Sequence, residues 1–250
     1  MKMLIGNDII FLEEVDSTNR YLSDWLSKEK VKEGTLVWAF CQTAGRGLDN
    51  NSWESIPGRN LTFSFVLYPS FLAANRQFYI TKAISLALVD LIRNELPGNY
   101  EVKIKWPNDI YIGNRKVAGV LIQNGVKGEQ FEYSIIGIGL NVNQESFSPD
   151  LPNPGSLKQC GGKEFNLEIL LRKTIDSIQS RVNILLQGNH DRLDLDYLAD
   201  LYRYQQLNDY LFKGEKIQAR ITGVNRYGQL ILGIPGGKTI ECDLKDVRFI

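Results

Sequence analysis

The run Val102-Lys103-Ile104-Lys105-Trp106-Pro107-Asn108-Asp109-Ile110-Tyr111-Ile112-Gly113-Asn114-Arg115-Lys116-Val117-Ala118-Gly119-Val120-Leu121-Ile122-Gln123 packs three strand-like segments into a short stretch. Residues 102–105, 110–112 and 116–123 are rich in Ile and Val, and Pro107-Asn108-Asp109 and Gly113-Asn114 divide them as turns. Turns this short join antiparallel neighbours, whereas a parallel pair needs a crossover of about a dozen residues or more. An antiparallel or mixed sheet is therefore expected, not a doubly wound parallel one. Residues 131–138 read as the next strand.

Upstream, residues 9–15 read as a strand, and Asp16-Ser17-Thr18-Asn19 as the N-cap cluster of a short helix with Tyr21, Leu22, Trp25 and Leu26 on one face. Residues 35–42 and 61–68 are further strands, separated by a polar, Gly-containing loop over residues 43–60. Residues 76–96 form a long helix that is apolar on most sides, so it is expected deep against the sheet, with Pro97-Gly98 ending it.

Downstream, residues 143–163 hold three of the eight prolines and read as a long irregular segment. Amphipathic helices are expected over residues 165–186 and 193–205. From residue 206 the pattern changes. Short runs at 217–224, 229–234 and 239–243 are punctuated by Lys213-Gly214, Arg226-Tyr227-Gly228 and Gly236-Gly237, which predicts a small β-barrel or meander of about 45 residues.

The 250 residues carry 29 Lys and Arg against 29 Asp and Glu, so bulk charge does not favour nucleic acid. No apolar run approaches the roughly 18 residues of a membrane span. Residues 1–8 lack the apolar stretch of a signal peptide, so the cytoplasm is the simplest compartment to expect. Three scattered cysteines, Cys41, Cys160 and Cys242, with no C-x-x-C, indicate neither a zinc ribbon nor a disulfide framework. The one histidine, His190, sits in a polar run and reads as a surface residue.

Four segments have chemical potential. Gln42-Thr43-Ala44-Gly45-Arg46-Gly47 leaves a strand end with a flexible backbone and a fixed cation, a combination that suits phosphate or carboxylate. Lys103-Ile104-Lys105-Trp106-Pro107-Asn108-Asp109 places two lysines on one face of a strand before a turn carrying an amide and a carboxylate. Lys116-Val117-Ala118-Gly119 sets an ammonium beside a gap in the sheet. Gly137-Ile138-Gly139-Leu140-Asn141-Val142-Asn143 combines glycines that admit a flat ligand with asparagines two apart, hence on one side. Each also has a plain structural reading as a turn, hairpin or strand end. No P-loop and no Gly-x-Gly-x-x-Gly turn is present.

Taken in order, and together with Ser17-Thr18-Asn19 and Trp53, these segments resemble the biotin–protein ligases (biotin–[acetyl-CoA-carboxylase] ligases) over nearly the whole chain. The resemblance implies an α+β fold. A central mixed sheet flanked by helices, like that of class II aminoacyl-tRNA synthetases, would occupy residues 1–205, and a small SH3-like β-barrel residues 206–250. It implies adenylation of biotin by MgATP, then transfer of biotin to a lysine of a biotin carboxyl carrier domain. By the same resemblance Lys116, Arg46 and Asp109 are the catalytic residues. Ser17, Thr18, Asn19, Gln42, Gly45, Arg46, Lys116 and Gly119 would contact biotin, with Gly119 leaving room for its bicycle. Gly47, Trp53, Lys105, Asn108 and Asn141 would contact ATP, whose phosphates would hold most of the Mg2+. The form expected here lacks an N-terminal DNA-binding domain. DNA and membrane partners are therefore not expected, and a homodimer stays open.

The sequence departs from the family after Gly47. Where many members carry an arginine and further basic residues, this chain has Leu48-Asp49-Asn50-Asn51-Ser52 before Trp53. A charge-assisted hydrogen bond is worth about 1.5–3 kcal/mol. Greater dependence on Lys116 and Arg46 is expected, or a substitute cation among Lys103, Lys105 and Arg115. The rival readings are a lipoate– or octanoate–protein ligase, whose fold is related, and a non-catalytic biotin-binding sensor.

Overall fold

The structure is a computed structural model that describes residues 5–96 and 98–250. Pro97, the expected terminator of the long helix, lies outside the described residues, as do residues 1–4 of the stretch read for a leader. No helix among the described residues is long and apolar enough to cross a membrane.

A seven-stranded mixed sheet forms the centre. Its strands are β1 (Ile9–Val15), β2 (Leu36–Gln42), β3 (Leu61–Leu67), β4 (Val102–Lys105), β5 (Asp109–Ile112), β6 (Arg115–Lys127) and β7 (Gln130–Leu140), in the spatial order β1-β2-β3-β7-β6-β5-β4. Only β1 and β2 run parallel; a helix, α1 (Thr18–Leu26), crosses between them. Every other pair is antiparallel, as the short turns require.

The two faces of this sheet differ. On one, Phe63 and Phe65 of β3 and Ile136 and Ile138 of β7 pack into the main core. That core is covered by α2 (Phe78–Glu95) and by α4 (Leu167–Leu186). The burial of α2 on most sides, from Phe78 to Ile92, is what its apolar sequence calls for. On the other face, α1 covers only part of the sheet, around Leu22, Val37, Val66 and Ile135. The remainder of that face carries Gly119, Gly137 and Gly139, and there the site lies.

Three differences from the sequence reading have local causes. The segment over residues 143–163 is not wholly irregular: it holds α3 (Leu157–Gly161), which Ser156 caps by accepting from Gln159 N–H at 3.2 Å and which ends at Gly162 with φ 68°. The helix expected over residues 193–205 is instead α5 (His190–Ala199). It begins earlier because the Asn189 side chain accepts from Arg192 N–H, and it stops because residues 200–202 extend beside β4, with Ile104 N–H donating to Asp200 and Tyr202 N–H to Ile104. The long helix begins at Phe78, with residues 74–76 forming a single 3-10 turn before it.

The C-terminal region contains β8 (Leu207–Phe212), β9 (Glu215–Val224), β10 (Leu230–Gly233), β11 (Thr239–Cys242) and β12 (Val247–Phe249). They form one antiparallel sheet in the order β11-β10-β9-β8-β12. Strands β8 and β12 were not legible as separate runs. The sheet is docked by Trp106, whose indole N–H donates to the Gly228 carbonyl at 2.8 Å. Gly228 has φ 90° and lies against the Phe78 ring, with 2.5 Å between that ring and where a β-carbon would stand. Trp106, 6% exposed, is thus an anchor rather than an edge residue of a hairpin.

Candidate active site

A cavity of about 390 Å³ opens over the glycine-bearing face and is roofed by the C-terminal sheet. That size falls among small-ligand pockets. It is assembled from α1, the ends of β2, β6 and β7, the loop over residues 43–60, the turn before β5, and β12.

The first turn of α1 supplies Ser17, Thr18 and Asn19, all under 5% exposed. Ser17 occupies the N-cap position, yet its side chain makes no capping bond. The neighbouring side chains turn inward to the sheet. Thr18 N–H donates to Gln42 Oε1 at 2.8 Å, and Thr18 Oγ1 lies 3.0 Å from the same oxygen. Thr18 Oγ1 also lies 2.6 Å from Ser64 Oγ, and Ser64 donates to Asn19 Oδ1 at 2.5 Å. Because Gln42 Oε1 is held by Thr18, its amide nitrogen stays available as a donor. Ser64, on β3, was not singled out from the sequence. A lone serine in an apolar strand carries no motif.

The loop after β2 folds as a small hairpin. Trp53 N–H donates to the Gly45 carbonyl at 2.9 Å, Gly47 N–H to the Asn51 carbonyl at 2.6 Å, and Arg46 pairs with Ser52. A β-carbon at Gly45 would stand 2.5 Å from the Trp53 carbonyl, so only glycine lets the two strands of the loop meet. Gly45 itself does not line the cavity; Arg46 and Gly47 do. At the tip, Asp49 adopts φ 56° and pairs with Lys245 of the C-terminal region at 3.5 Å. Asn51 holds the tip by donating to the Leu48 carbonyl at 2.8 Å.

The bare strands are already partly filled by protein. Asn19 sits where a Gly137 side chain would be, and the Trp53 indole where one at Gly139 would be. A β-carbon at Gly119 would stand 3.2 Å from that indole and 3.4 Å from Asp109. The gap beside Gly119 therefore accommodates Trp53, and a ligand lying on that strand has to displace the ring.

Lys116 and Asp109 face each other at 2.7 Å, each less than a third exposed, with the Lys116 ammonium 5.6 Å from the centre of a Trp53 ring. Lys105 lies between the aromatic rings of Tyr111 and Phe249, at 5.2 and 5.1 Å, and donates to the Tyr111 hydroxyl at 3.3 Å. Burial holds the Lys105 ammonium below the ordinary lysine value; Asp109 opposes this shift, and Lys116 and Arg203 add to it. Asn108 lines the cavity while its amide clamps the Val120 carbonyl.

Of the substitute cations expected from the sequence, only Lys105 lines the cavity. Lys103 is turned away and donates to the Ala199 carbonyl at 3.0 Å, and Arg115 does not line the cavity either. A further cation, Arg248 of β12, does line it. No motif marks this residue, because the strand that carries Arg248 is only three residues long.

Asn141 stands outside the cavity lining. Its amide donates to the Gly155 carbonyl at 3.0 Å; its buried Oδ1 and the buried Trp53 Nε1 have no partner among the described residues. Asn143 exchanges two hydrogen bonds with the Phe165 backbone. The paired asparagines thus pin two loops beyond the end of β7. Among the described residues no group of three or more His, Cys, Asp and Glu side chains is placed to hold a metal ion.

Known proteins resemble the chain as follows. It is 33% identical over 166 residues to the bifunctional ligase/repressor BirA of Bacillus spizizenii, covering 65% of this chain and 50% of that protein. It is 31% identical to the biotin–protein ligase of Homo sapiens, over 94% of this chain and 33% of that one. It spans about half the length of the first of these relatives and a third of the second. The fold matches that of a biotin protein ligase from Aquifex aeolicus, solved with biotin and ATP, with TM-score 0.80 and 24% identity over 98% of this chain and 99% of that one. The profile of the Biotin/lipoate A/B protein ligase family matches residues 11–141, the region that builds most of the cavity. The chain belongs to the Biotin/lipoate A/B protein ligase family.

Proposed function

We propose that this chain is an ATP-dependent biotin–protein ligase acting in two steps at this cavity. In the first, a carboxylate oxygen of biotin attacks the α-phosphorus of MgATP. The bond from that phosphorus to the bridging oxygen breaks, and pyrophosphate leaves with the electron pair. In the second, the ε-amine of a carrier-domain lysine attacks the acyl carbon, AMP departs, and the proton from nitrogen passes to a base.

The observation that carries the choice of biotin is the polar cluster of Thr18, Asn19 and Gln42 on the cavity floor. The ureido ring of biotin has N–H donors and a carbonyl acceptor to match it. A lipoyl dithiolane or an octanoyl chain has neither and would leave these buried groups unpaired. A site built to hydrogen-bond one ligand rejects an analogue lacking those groups by large factors.

The first step brings two anions together, so its main need is positive charge fixed in place. Lys116 would exchange Asp109 for the biotin carboxylate and the α-phosphate. Arg46 and the backbone at Gly47 would hold the ligand from the loop. Lys105 and Arg248 would face the outer phosphates, with Arg248 taking the place of the missing loop cations. Released from Lys116, Asp109 would orient the incoming amine and take up its proton. Trp53, whose buried indole N–H has no partner among the described residues, suits the adenine ring, whereas Asn141 lies outside the cavity lining. Mg2+ would be carried mainly by the phosphates, where it neutralises charge.

The same reading treats residues 1–205 as the ligand-binding unit and residues 206–250 as a small SH3-like barrel; the five short antiparallel strands from Leu207 onward support this. The partner would be a biotin carboxyl carrier domain, met in the cytoplasm. A homodimer would use the part of β6 beyond Gly119 that β5 leaves unpaired.

The test is transfer. With MgATP and an isolated carrier domain, mass spectrometry should show addition of one biotinyl group to one lysine. Addition of lipoyl but not biotinyl groups would refute the substrate, and no addition of either would refute the ligase reading.

A further inference from the structure

We propose that Ser64, which does not itself line the cavity, sets which oxygen of the site is free to receive the ligand's N–H groups. This inference rests on the biotin reading of the cavity. Three oxygen–oxygen contacts run in a row: Gln42 Oε1 to Thr18 Oγ1 at 3.0 Å, Thr18 Oγ1 to Ser64 Oγ at 2.6 Å, and Ser64 Oγ to Asn19 Oδ1 at 2.5 Å. The carboxamide oxygens at the two ends only accept, and each hydroxyl between them holds one proton. Two protons cannot fill three contacts.

Every arrangement leaves one contact in which two oxygens face each other with no proton between them, and the longest contact bears this best. In one, both protons point toward Asn19; Gln42 Oε1 then keeps only the Thr18 N–H at 2.8 Å, and Thr18 Oγ1 receives no donor from the protein. In another, both point toward Gln42, and Asn19 Oδ1 faces Ser64 Oγ at 2.5 Å with no proton between them. Turning the protons apart would oppose the two hydroxyl lone pairs at 2.6 Å, so the first arrangement, which leaves only the 3.0 Å contact unfilled, is favoured. Thr18 and Asn19 both line the cavity, and the Asn19 amide nitrogen is fixed by the Leu121 carbonyl at 3.2 Å.

The floor therefore offers its unfilled acceptor at Thr18 Oγ1, because Ser64 takes the Thr18 proton and gives its own to Asn19. A cyclic urea has two N–H groups flanking one carbonyl, and one of those N–H groups can fill Thr18 Oγ1. Ser64 is fully buried on β3, so no solvent molecule competes for its proton. It is a positioning residue that acts through Thr18 and Asn19.

Titration calorimetry with biotin on the full chain, compared across wild type, Ser64→Ala and Ser64→Cys, tests this. Ser64→Ala should weaken biotin about 10- to 100-fold, the usual consequence of leaving a buried group unpaired, with Ser64→Cys intermediate. The KM for ATP should stay within about twofold in both, and the Ser64→Ala loss should largely vanish in a Thr18→Val background, as coupled neighbours require. Unchanged biotin affinity in Ser64→Ala overturns the inference, as does an equal loss toward ATP, which general loosening would produce. Should Ser64→Ala not fold, Ser64→Cys carries the same comparison. Wild-type protein that binds no biotin overturns the biotin reading itself, whereas firm wild-type binding beside an indifferent variant overturns this inference alone.

Discussion

Lys116 meets Asp109 at 2.7 Å, so the charge proposed for the reaction is held in place by a carboxylate of the protein itself. Preorganised charge stabilises a transition state without rearrangement during the reaction. Lys116→Ala should lower pyrophosphate release about 100-fold or more, the usual loss for one electrostatic stabiliser; near wild-type release would remove Lys116 from that role. Lys105 carries a pH signature. Burial makes it lose its proton below the ordinary lysine value of 10.5. A bound phosphate favours the charged form, so binding takes up a proton in that window and ATP affinity falls as pH rises through it. Lys105→Arg should flatten the alkaline rise in the KM for ATP, because a guanidinium stays charged; an unchanged profile would assign the proton elsewhere. At this scale much of the cavity was legible. Thr18, Arg46, Asp109 and Lys116 come together as their motifs implied. Ser64 and Arg248 were not legible, because each acts through a contact distant in sequence and neither sits in a motif.

Among the elements, β12 has the largest effect for its length. Three residues at the end of the chain bring Arg248 to a cavity otherwise built from the large sheet. Arg248→Ala should raise the KM for ATP about 10-fold or more, the worth of one charge-assisted hydrogen bond. Arg115→Ala and Lys103→Ala should leave that KM unchanged. The position of β12 depends on how the C-terminal sheet docks, and Gly228 is the tightest point. With φ 90° and the Phe78 ring against it, Gly228→Ala introduces both backbone strain and a clash. It should destabilise the protein by about 1–3 kcal/mol in denaturant melts and also raise the KM for ATP; a loss of stability with no change in KM would separate docking from nucleotide binding. The antiparallel pairing of β4 with β5 and of β5 with β6 followed from turn length, which is local; the place of β3 beside β7 did not. Helix ends did not: α5 stops where the chain joins the β4 edge, a tertiary contact that periodicity does not record.

Over the whole molecule, the two faces of the sheet do different work. Helices α2 and α4 seal one face with the core, and the other is left bare enough to bind. The sealed side is cross-linked by Arg181, which pairs with Asp90 of α2 at 2.5 Å and with Asp196 of α5 at 2.5 Å, its side chain 13% exposed. Removing one member of such a network leaves a charge uncompensated, so Arg181→Met should cost about 3–5 kcal/mol in a denaturant melt. The affinity for biotin should be unaffected, and a matching loss of affinity would mean that the two faces are coupled. The central claim is that the bare face activates biotin. Pyrophosphate release from MgATP by the purified full chain, with biotin, lipoate, octanoate or no acid added, tests it most directly. The account predicts release with biotin alone. Release with lipoate or octanoate in its place, or binding of biotin with no release at all, would contradict it.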